Sequence, residues 1–392
     1  MSYVLVALLG IAFGLGIAWW RLAPQRRALE GLTRRSHVLY EVAEGDLDNV
    51  ARELEGIAEA EPGDPTVFLA LAALDRRRGR IERAKAIHRT VLASADLPAE
   101  SRVAALVGLG RDLLAQGNEE AAVGALSRAI SLAPRSVATL ETLARALEQA
   151  GAWERAAAAW ERHEKLVEGR RRRDSRIGRG HAVAGQAMVA LSDGDDRKAR
   201  KLIERAVELA PDSGHVWYVK ARVESTMGAK GPALESWQRA WELAPGGAHL
   251  VVPEAWDWAS AEASQDDLVE RMLASMRTAK EASLVVALAE KVARKHPDQA
   301  AHALERVGGT SATAVLSLIR LRLIRGLRDQ AREAAMTDLG PPAVICRRCA
   351  AAMPRFSFRC NDCGVWDCAV AYGERVEAGP ESDLRSAVDL TA

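Results

Sequence analysis

Apolar residues follow two regimes along this chain. From Tyr3 to Trp20 they run without a single charge for 18 residues, YVLVALLGIAFGLGIAWW. That length predicts a membrane-spanning helix. From about residue 32 the pattern is amphipathic, with apolar positions at helical spacing broken at intervals by glycine. Gly45 and Gly79 are 34 apart, as are Gly117 and Gly151, and Gly194 and Gly228. Five residues after these glycines stand Val50, Ala84, Ala122, Ala156, Ala199 and Ala233. Twelve after stand Ile57, Val91, Ala129, His163, Ala206 and Ala240. Seventeen after, Pro62, Pro134, Pro211 and Pro245 occur in four of the six units.

Each feature has a mechanical meaning. Glycine ends one helix, where a left-handed backbone angle is needed. The small residue five later lets the second helix approach the first. Proline stops that second helix. Leu126, Trp160, Ile203 and Trp237, nine after the glycine, fill the space between helices. The two units without proline have Asp96 and Glu168 there, and each precedes an insertion: four extra residues around 94–101, then nine more that include Gly169 and Arg170–Arg173. The four-arginine run is read as a solvated loop. A lone hairpin cannot bury its apolar face, so such units stack into a solenoid.

The period, turn glycine, small residues and terminal proline resemble the tetratricopeptide repeat. The predicted fold is therefore all-α, a tetratricopeptide-repeat superhelical solenoid with an N-terminal transmembrane helix and a small C-terminal metal module. The expected organisation is an anchor over 1–21, about six repeats over 32–245 and degenerate helical repeats over 246–338, where the glycine spacing is lost. A four-cysteine module over 343–371 and a polar, disordered tail over 372–392 complete it.

The flanks of the first segment set its orientation. Only Met1 and Ser2 precede it, whereas Arg21, Arg26, Arg27, Arg34 and Arg35 follow. Arginine on that side places the remainder of the chain in the cytoplasm, and the Trp19–Trp20 pair suits the membrane interface. The expectation is an uncleaved single-pass anchor. Gly10 and Gly14 form a G-x-x-x-G pair, a packing face that would allow a homodimer.

Composition narrows the class. Lys+Arg total 54 against Asp+Glu 53, so no global field draws the chain to nucleic acid. Aromatic residues make up 5%, too few for an all-β sandwich. All five cysteines lie between 346 and 368. One tight cluster in a long chain points to a metal site rather than a disulfide framework. Cys346–Cys349 and Cys360–Cys363 are two C-x2-C pairs separated by ten residues. Four thiolates in tetrahedral array suit one zinc or iron ion per chain. Cys368 is read as a neighbour rather than a ligand, and Phe358 and Trp366 as the small core covering the site. Arg347, Arg348, Arg355 and Arg359 can offset the thiolate charge. The arrangement resembles rubredoxin-type knuckles, in which glycine commonly follows each pair; Gly364 does so, whereas Ala350 departs.

Partner binding has a weaker signal. Six residues before the turn glycine, on the first helix of each pair, stand Arg111, Arg145 and Arg222. They form either a basic stripe for an acidic partner segment or a solvated face paired with local Glu. His88 and His163 occupy inward repeat positions and are read as packing residues. No G-x-S-x-G, H-E-x-x-H or phosphate-binding glycine loop occurs, so no enzyme is expected.

Anchor, repeats and rubredoxin-like module in this order resemble the lipopolysaccharide assembly protein B family of Gram-negative bacteria. The stretch Arg80–Gly117 is similar to that family in Ala86, Ile87, His88, Thr90 and Val91 and in Leu109, Gly110, Arg111 and Asp112. The gap between the knuckles and Trp366, three residues past the last ligand, are similar as well. The resemblance implies an inner-membrane adaptor that restrains lipopolysaccharide synthesis. It implies that the adaptor brings the deacetylase of the lipid A pathway to a membrane-bound ATP-dependent metalloprotease, among other lipopolysaccharide assembly proteins. It also implies that the metal module packs on the repeats. Alternatives are a rubredoxin-type electron-transfer protein, a zinc ribbon binding RNA, and a membrane-linked repeat scaffold of tetrapyrrole biosynthesis.

Overall fold

Turn glycines set the frame of the protein. In the computed structural model, which describes residues 47–308, 311–335, 344–346, 352–353, 358–360, 366 and 369–371, Gly79, Gly117, Gly151, Gly194 and Gly228 have φ between +68° and +77°. Gly45 lies outside the described residues, as do the Tyr3–Trp20 segment, Cys349, Cys363, Cys368 and everything after 371. Among the described residues no helix is long and apolar enough to cross a membrane. The residues five after each glycine are buried as the close approach requires. Val50 is 1% exposed, and Ala84, Ala122, Ala156, Ala199 and Ala233 are fully buried.

The chain divides into two compact units, Met1–Ala150 and Gly151–Ala392. The first contains α1 (Leu47–Ala60), α2 (Pro65–Arg77), α3 (Ile81–Ala93), α4 (Ala99–Ala115), α5 (Glu119–Leu132) and α6 (Val137–Gln149). Helix starts are set by local side chains: Asp64, Asn118 and Ser136 accept from Thr66, Ala121 and Thr139 N–H. Large residues then meet small ones across helices. A Cβ on Gly108 would come within 2.1 Å of His88 Nε2, so this glycine in α4 is the hollow into which the α3 histidine fits.

The second unit begins with α7 (Trp153–Leu166), α8 (Gly169–Ser192), α9 (Asp196–Leu209), α10 (Gly214–Thr226) and α11 (Lys230–Leu243). The nine-residue insertion is not a loop. Arg170–Arg173 form the first turns of α8, a 24-residue helix, with all four side chains exposed. Arginine is a good helix former and carries no signal to stop a helix, so the added residues lengthen it. Trp160 of α7 lies against Gly178 of α8, where a Cβ would sit 2.6 Å from its ring.

After the 3-10 turn Pro245–Gly247 come α12 (Ala248–Ala261), α13 (Gln265–Thr278), α14 (Ala282–Val292), α15 (Pro297–Gly308), α16 (Ala312–Ile324) and α17 (Arg328–Ala335). The hairpin plan persists here without its marker. Ala263 takes the left-handed turn at φ 54°, and Gly326 does so at φ 76°. Leu268 and Ala331, five residues after them, are 0% and 2% exposed. The largest core of the unit joins Trp237 and Trp241 to Leu268, Met272, Leu288 and Leu304. Trp241 Nε1–H donates to Ser275 Oγ at 3.1 Å, which ties helices 34 residues apart.

A three-stranded antiparallel sheet follows the helices, built from β1 (Val344–Cys346), β2 (Ala352–Met353) and β3 (Ala369–Ala371) in the order β2-β1-β3. The all-α description thus holds for the repeats, and the described residues after 343 include three short strands.

Candidate functional site

Antiparallel pairings stand beside the first cysteine of each pair. Val344 and Ile345 of β1 pair antiparallel with Met353 and Ala352 of β2, and Cys346 ends β1. Arg359 and Trp366 form an isolated antiparallel bridge, and Cys360 directly follows Arg359. Cys346 is 0% and Cys360 1% exposed. The first cysteine of each pair is therefore enclosed. That suits a thiolate enclosed with its metal, and the donor set fits zinc or iron. Cys349 and Cys363, the other two expected ligands, lie outside the described residues, as does Cys368.

The module has a seat on the repeats of its own unit. β3 lies against the Pro245–Gly247 turn. Trp366 stacks on His181 of α8, with ring centroids 4.0 Å apart and planes at 12°. His215 of α10 lies 4.7 Å from the same indole. Phe358 meets His215 at 5.4 Å and Tyr218 at 5.7 Å. Phe358 and Trp366 were expected to cover the metal as a module core. Both rings lie against the repeats, and two of the cysteines they were expected to cover lie outside the described residues.

His181 and His215 Nδ1 atoms are 3.0 Å apart, a bond in which one ring donates and the other accepts. Burial first, then His215 and Arg359, hold His181 well below the usual 6.5. Burial pushes His215 down to about 4. Both rings are neutral at physiological pH, which lets them lie under an indole without carrying charge into the interface. Arg359 places its guanidinium 5.6 Å from the Trp366 ring centre. The sequence reading missed this histidine pair. Its signal was present, since His181 and His215 each stand 13 residues before a turn glycine, Gly194 and Gly228.

Of the three stripe arginines, Arg111 and Arg145 fall in the first unit and Arg222 in the second. Arg222 belongs to the unit that seats the module. Its Nε is 3.2 Å from Glu254 Oε1, and its guanidinium lies 5.8 Å from the Tyr218 ring. Tyr218 donates to Glu254 Oε2 at 2.7 Å, and burial, with this bond, pushes its hydroxyl up to about 12. Arg111 and Arg145 lie together in the first unit, where Arg145 pairs with Glu141 at 2.6 Å and Arg111 donates to Thr142 Oγ1 at 3.3 Å.

The inward histidines are packing residues. His88 meets Asp112 Oδ2 through Nδ1 at 2.6 Å, and Asp112 Oδ1 accepts from Arg76 at 3.0 Å. The His88 and Asp112 of the Arg80–Gly117 stretch thus pin three helices of the first unit together. His163 meets Ser175 Oγ at 2.7 Å. The first insertion forms one wall of an open cavity of about 530 Å³, lined by Pro62, Phe68, Ile87, Val91, Leu97 and Pro98 among others.

No family model matches the chain. Lipopolysaccharide assembly protein B of Escherichia coli K12 is 26% identical over 179 residues, which is 46% of this chain and 45% of that protein. The protein of the same name from Escherichia coli O157:H7 matches equally. The chain spans about half the length of the curated relatives it matches. Among solved structures, the C-terminal part of a TPR repeat-containing protein from Cytophaga hutchinsonii is 12% identical with a TM-score of 0.41, covering 72% of this chain and 98% of that one. The MamA protein is 19% identical with a TM-score of 0.36, covering 46% of this chain and 91% of its own.

Proposed function

We propose that the chain is a membrane-anchored, non-enzymatic adaptor of lipopolysaccharide biosynthesis. In this reading Tyr3–Trp20 holds it in the bacterial inner membrane, with the repeats and metal module on the cytoplasmic side. The repeats bring the lipid A pathway deacetylase to a membrane-bound ATP-dependent metalloprotease. The named relatives support the pathway. The observation that carries the adaptor role is the seat of Trp366 on the His181–His215 pair, because it turns the knuckles into part of the repeat surface. A centre built to exchange electrons has no need of such a seat.

Cys346, Cys349, Cys360 and Cys363 would hold one zinc or iron ion. A closed four-thiolate site has no open coordination position, so the ion serves as a fold-stabilising clamp and not as a reagent. Its binding energy becomes folding energy for a segment with little core of its own. Crosslinked capture from membranes of the full chain, with its metal, tests the proposal. Recovery of both the protease and the deacetylase is the expected result, and equal recovery with redox-silent zinc follows from the structural role. Recovery of neither, or a requirement for iron in one redox state, overturns it.

A further inference from the structure

The second unit carries a run of charge that its hairpin plan does not require. α2, α6 and α10 begin fourteen residues before their turn glycines, whereas α8 begins twenty-five residues before Gly194. The added turns, 169–179, lengthen the helix by about 16 Å. They carry Arg170, Arg171, Arg172, Arg173, Arg176 and Arg179 against one acid, Asp174. The base of this extension is pinned. Ser175 and Gly178 are buried, with His163 Nδ1 2.7 Å from Ser175 Oγ and Trp160 against Gly178. Arg179 pairs with Glu164 at 3.0 Å, and Arg176 donates to the Glu208 carbonyl at 3.2 Å.

The tip is open to solvent. Arg170–Arg173 are all exposed. Arg173 comes no closer than 3.7 Å to Asp212, and the two side chains stay 74% and 80% exposed. Arg171 and Arg172 have no ion pair among the described residues. The first turn holds no acid, so the helix dipole adds to the mutual repulsion of its arginines. Consecutive residues on a helix point in directions about 100° apart, so these side chains fan around the tip and line no cleft. An extended peptide laid on such a fan meets one or two of them. A charged plane met by the tip engages all four.

We infer that the start of α8 docks on an anionic membrane surface, with Arg170–Arg173 seated among lipid phosphates. A guanidinium fork matches a phosphate in charge and geometry. Attraction of basic residues to anionic headgroups adds residue by residue and fades within a Debye length. The inference rests on the proposed membrane anchor, which brings the chain to a bilayer, and adds a second contact to it. Tyr3–Trp20 tethers the chain, and α8 holds the second unit against the headgroups. Anionic lipid content thereby sets how firmly that unit is held.

The test uses the full chain with its metal bound, in nanodiscs of phosphatidylcholine with or without phosphatidylglycerol. Hydrogen exchange over 169–176 should slow about tenfold with phosphatidylglycerol, the change given by docking about nine-tenths of the time. Exchange over 214–222 should be the same in both discs, and high salt should erase the difference. Arg171→Glu with Arg172→Glu should abolish the slowing, with helix content unchanged by circular dichroism. Arg171→Lys with Arg172→Lys should keep most of it, since the charge remains. Equal exchange in the two discs overturns the surface, and so does slowing that survives the glutamate pair. Equal slowing by inorganic phosphate or hexaglutamate in detergent overturns the membrane assignment in favour of a soluble anion or an acidic protein. A chain that does not enter the discs refutes the anchor, and flotation with vesicles of the same two mixtures then decides the surface. Flotation with phosphatidylglycerol alone, lost in the glutamate pair, supports it, and equal flotation overturns it.

Discussion

The two units share a hairpin plan and differ in what their first helices present. In the second, His181 and His215 sit one repeat apart and hold Trp366 and Phe358 of the C-terminal module. In the first, Ala104 and Ala138 occupy those positions and are exposed, with Arg111 and Arg145 seven residues further along the same helices. A repeat array can therefore give one set of positions over to its own tail and leave the equivalent positions of another unit open, with histidine exchanged for alanine. The turn glycines and buried alanines that build the hairpins are alike in both, so the division of labour lies outside the repeat signature.

Losing the metal should break the comparison most sharply. Cys346→Ser should release the ion and unfold the knuckles, exposing α8 and α10 around His181 and His215. Metal content by mass spectrometry should fall to background. Hydrogen exchange should rise in 175–190 and 214–222 while 81–149 stays protected. Uniform protection in both units after metal loss would refute the seat.

A substitution confined to the first unit should act the other way. Gly108→Ala forces a methyl into the His88 ring, with a Cβ only 2.1 Å from Nε2, and should destabilise that unit by about 1–3 kcal/mol. Thermal unfolding should show an early transition in 47–150 while metal binding remains intact. An unchanged melting profile would mean that His88 can turn aside without loss.

Acid should give the smallest and most gradual effect. Above pH 6.5 both histidines are neutral whether the module is seated or free, so seating is at full strength. As pH falls below 6.5, freed rings take protons, while the seated rings resist down to about 4 for His215 and lower still for His181. Seating should weaken progressively across that window. Trp366 lies against both rings, so the exchange of residue 366 and its neighbours can report the change. His181→Gln with His215→Gln should flatten the dependence between pH 6.5 and 5. An unchanged slope in that double variant would assign the acid response to other groups.

Much of the repeat architecture was legible because it rests on local backbone and volume rules. A glycine at a left-handed turn and a small residue five later leave a mark in any single unit. The last third escaped this reading for a defined reason: Ala263 accepts the turn angle that glycine usually takes, so the hairpin continues without its letter. The arginine run at 170–173 was misplaced for the opposite reason. High charge suggests a loop, but nothing in those residues ends a helix, and α8 runs through them.

The sequence by itself determined the helical period, the burial of residues such as Ala84 and Ala199, and the spacing of the two cysteine pairs. These depend on neighbours a few residues away or on fixed spacing. Tertiary structure alone decided that Trp366 stacks on His181, and that Arg76 and His88 meet at Asp112. Both outcomes hinge on which surfaces meet across long stretches of chain. An indole goes wherever the largest apolar and aromatic surface is offered, and charges sum over whatever the fold brings near. Neither quantity is carried by the spacing of residues along the chain.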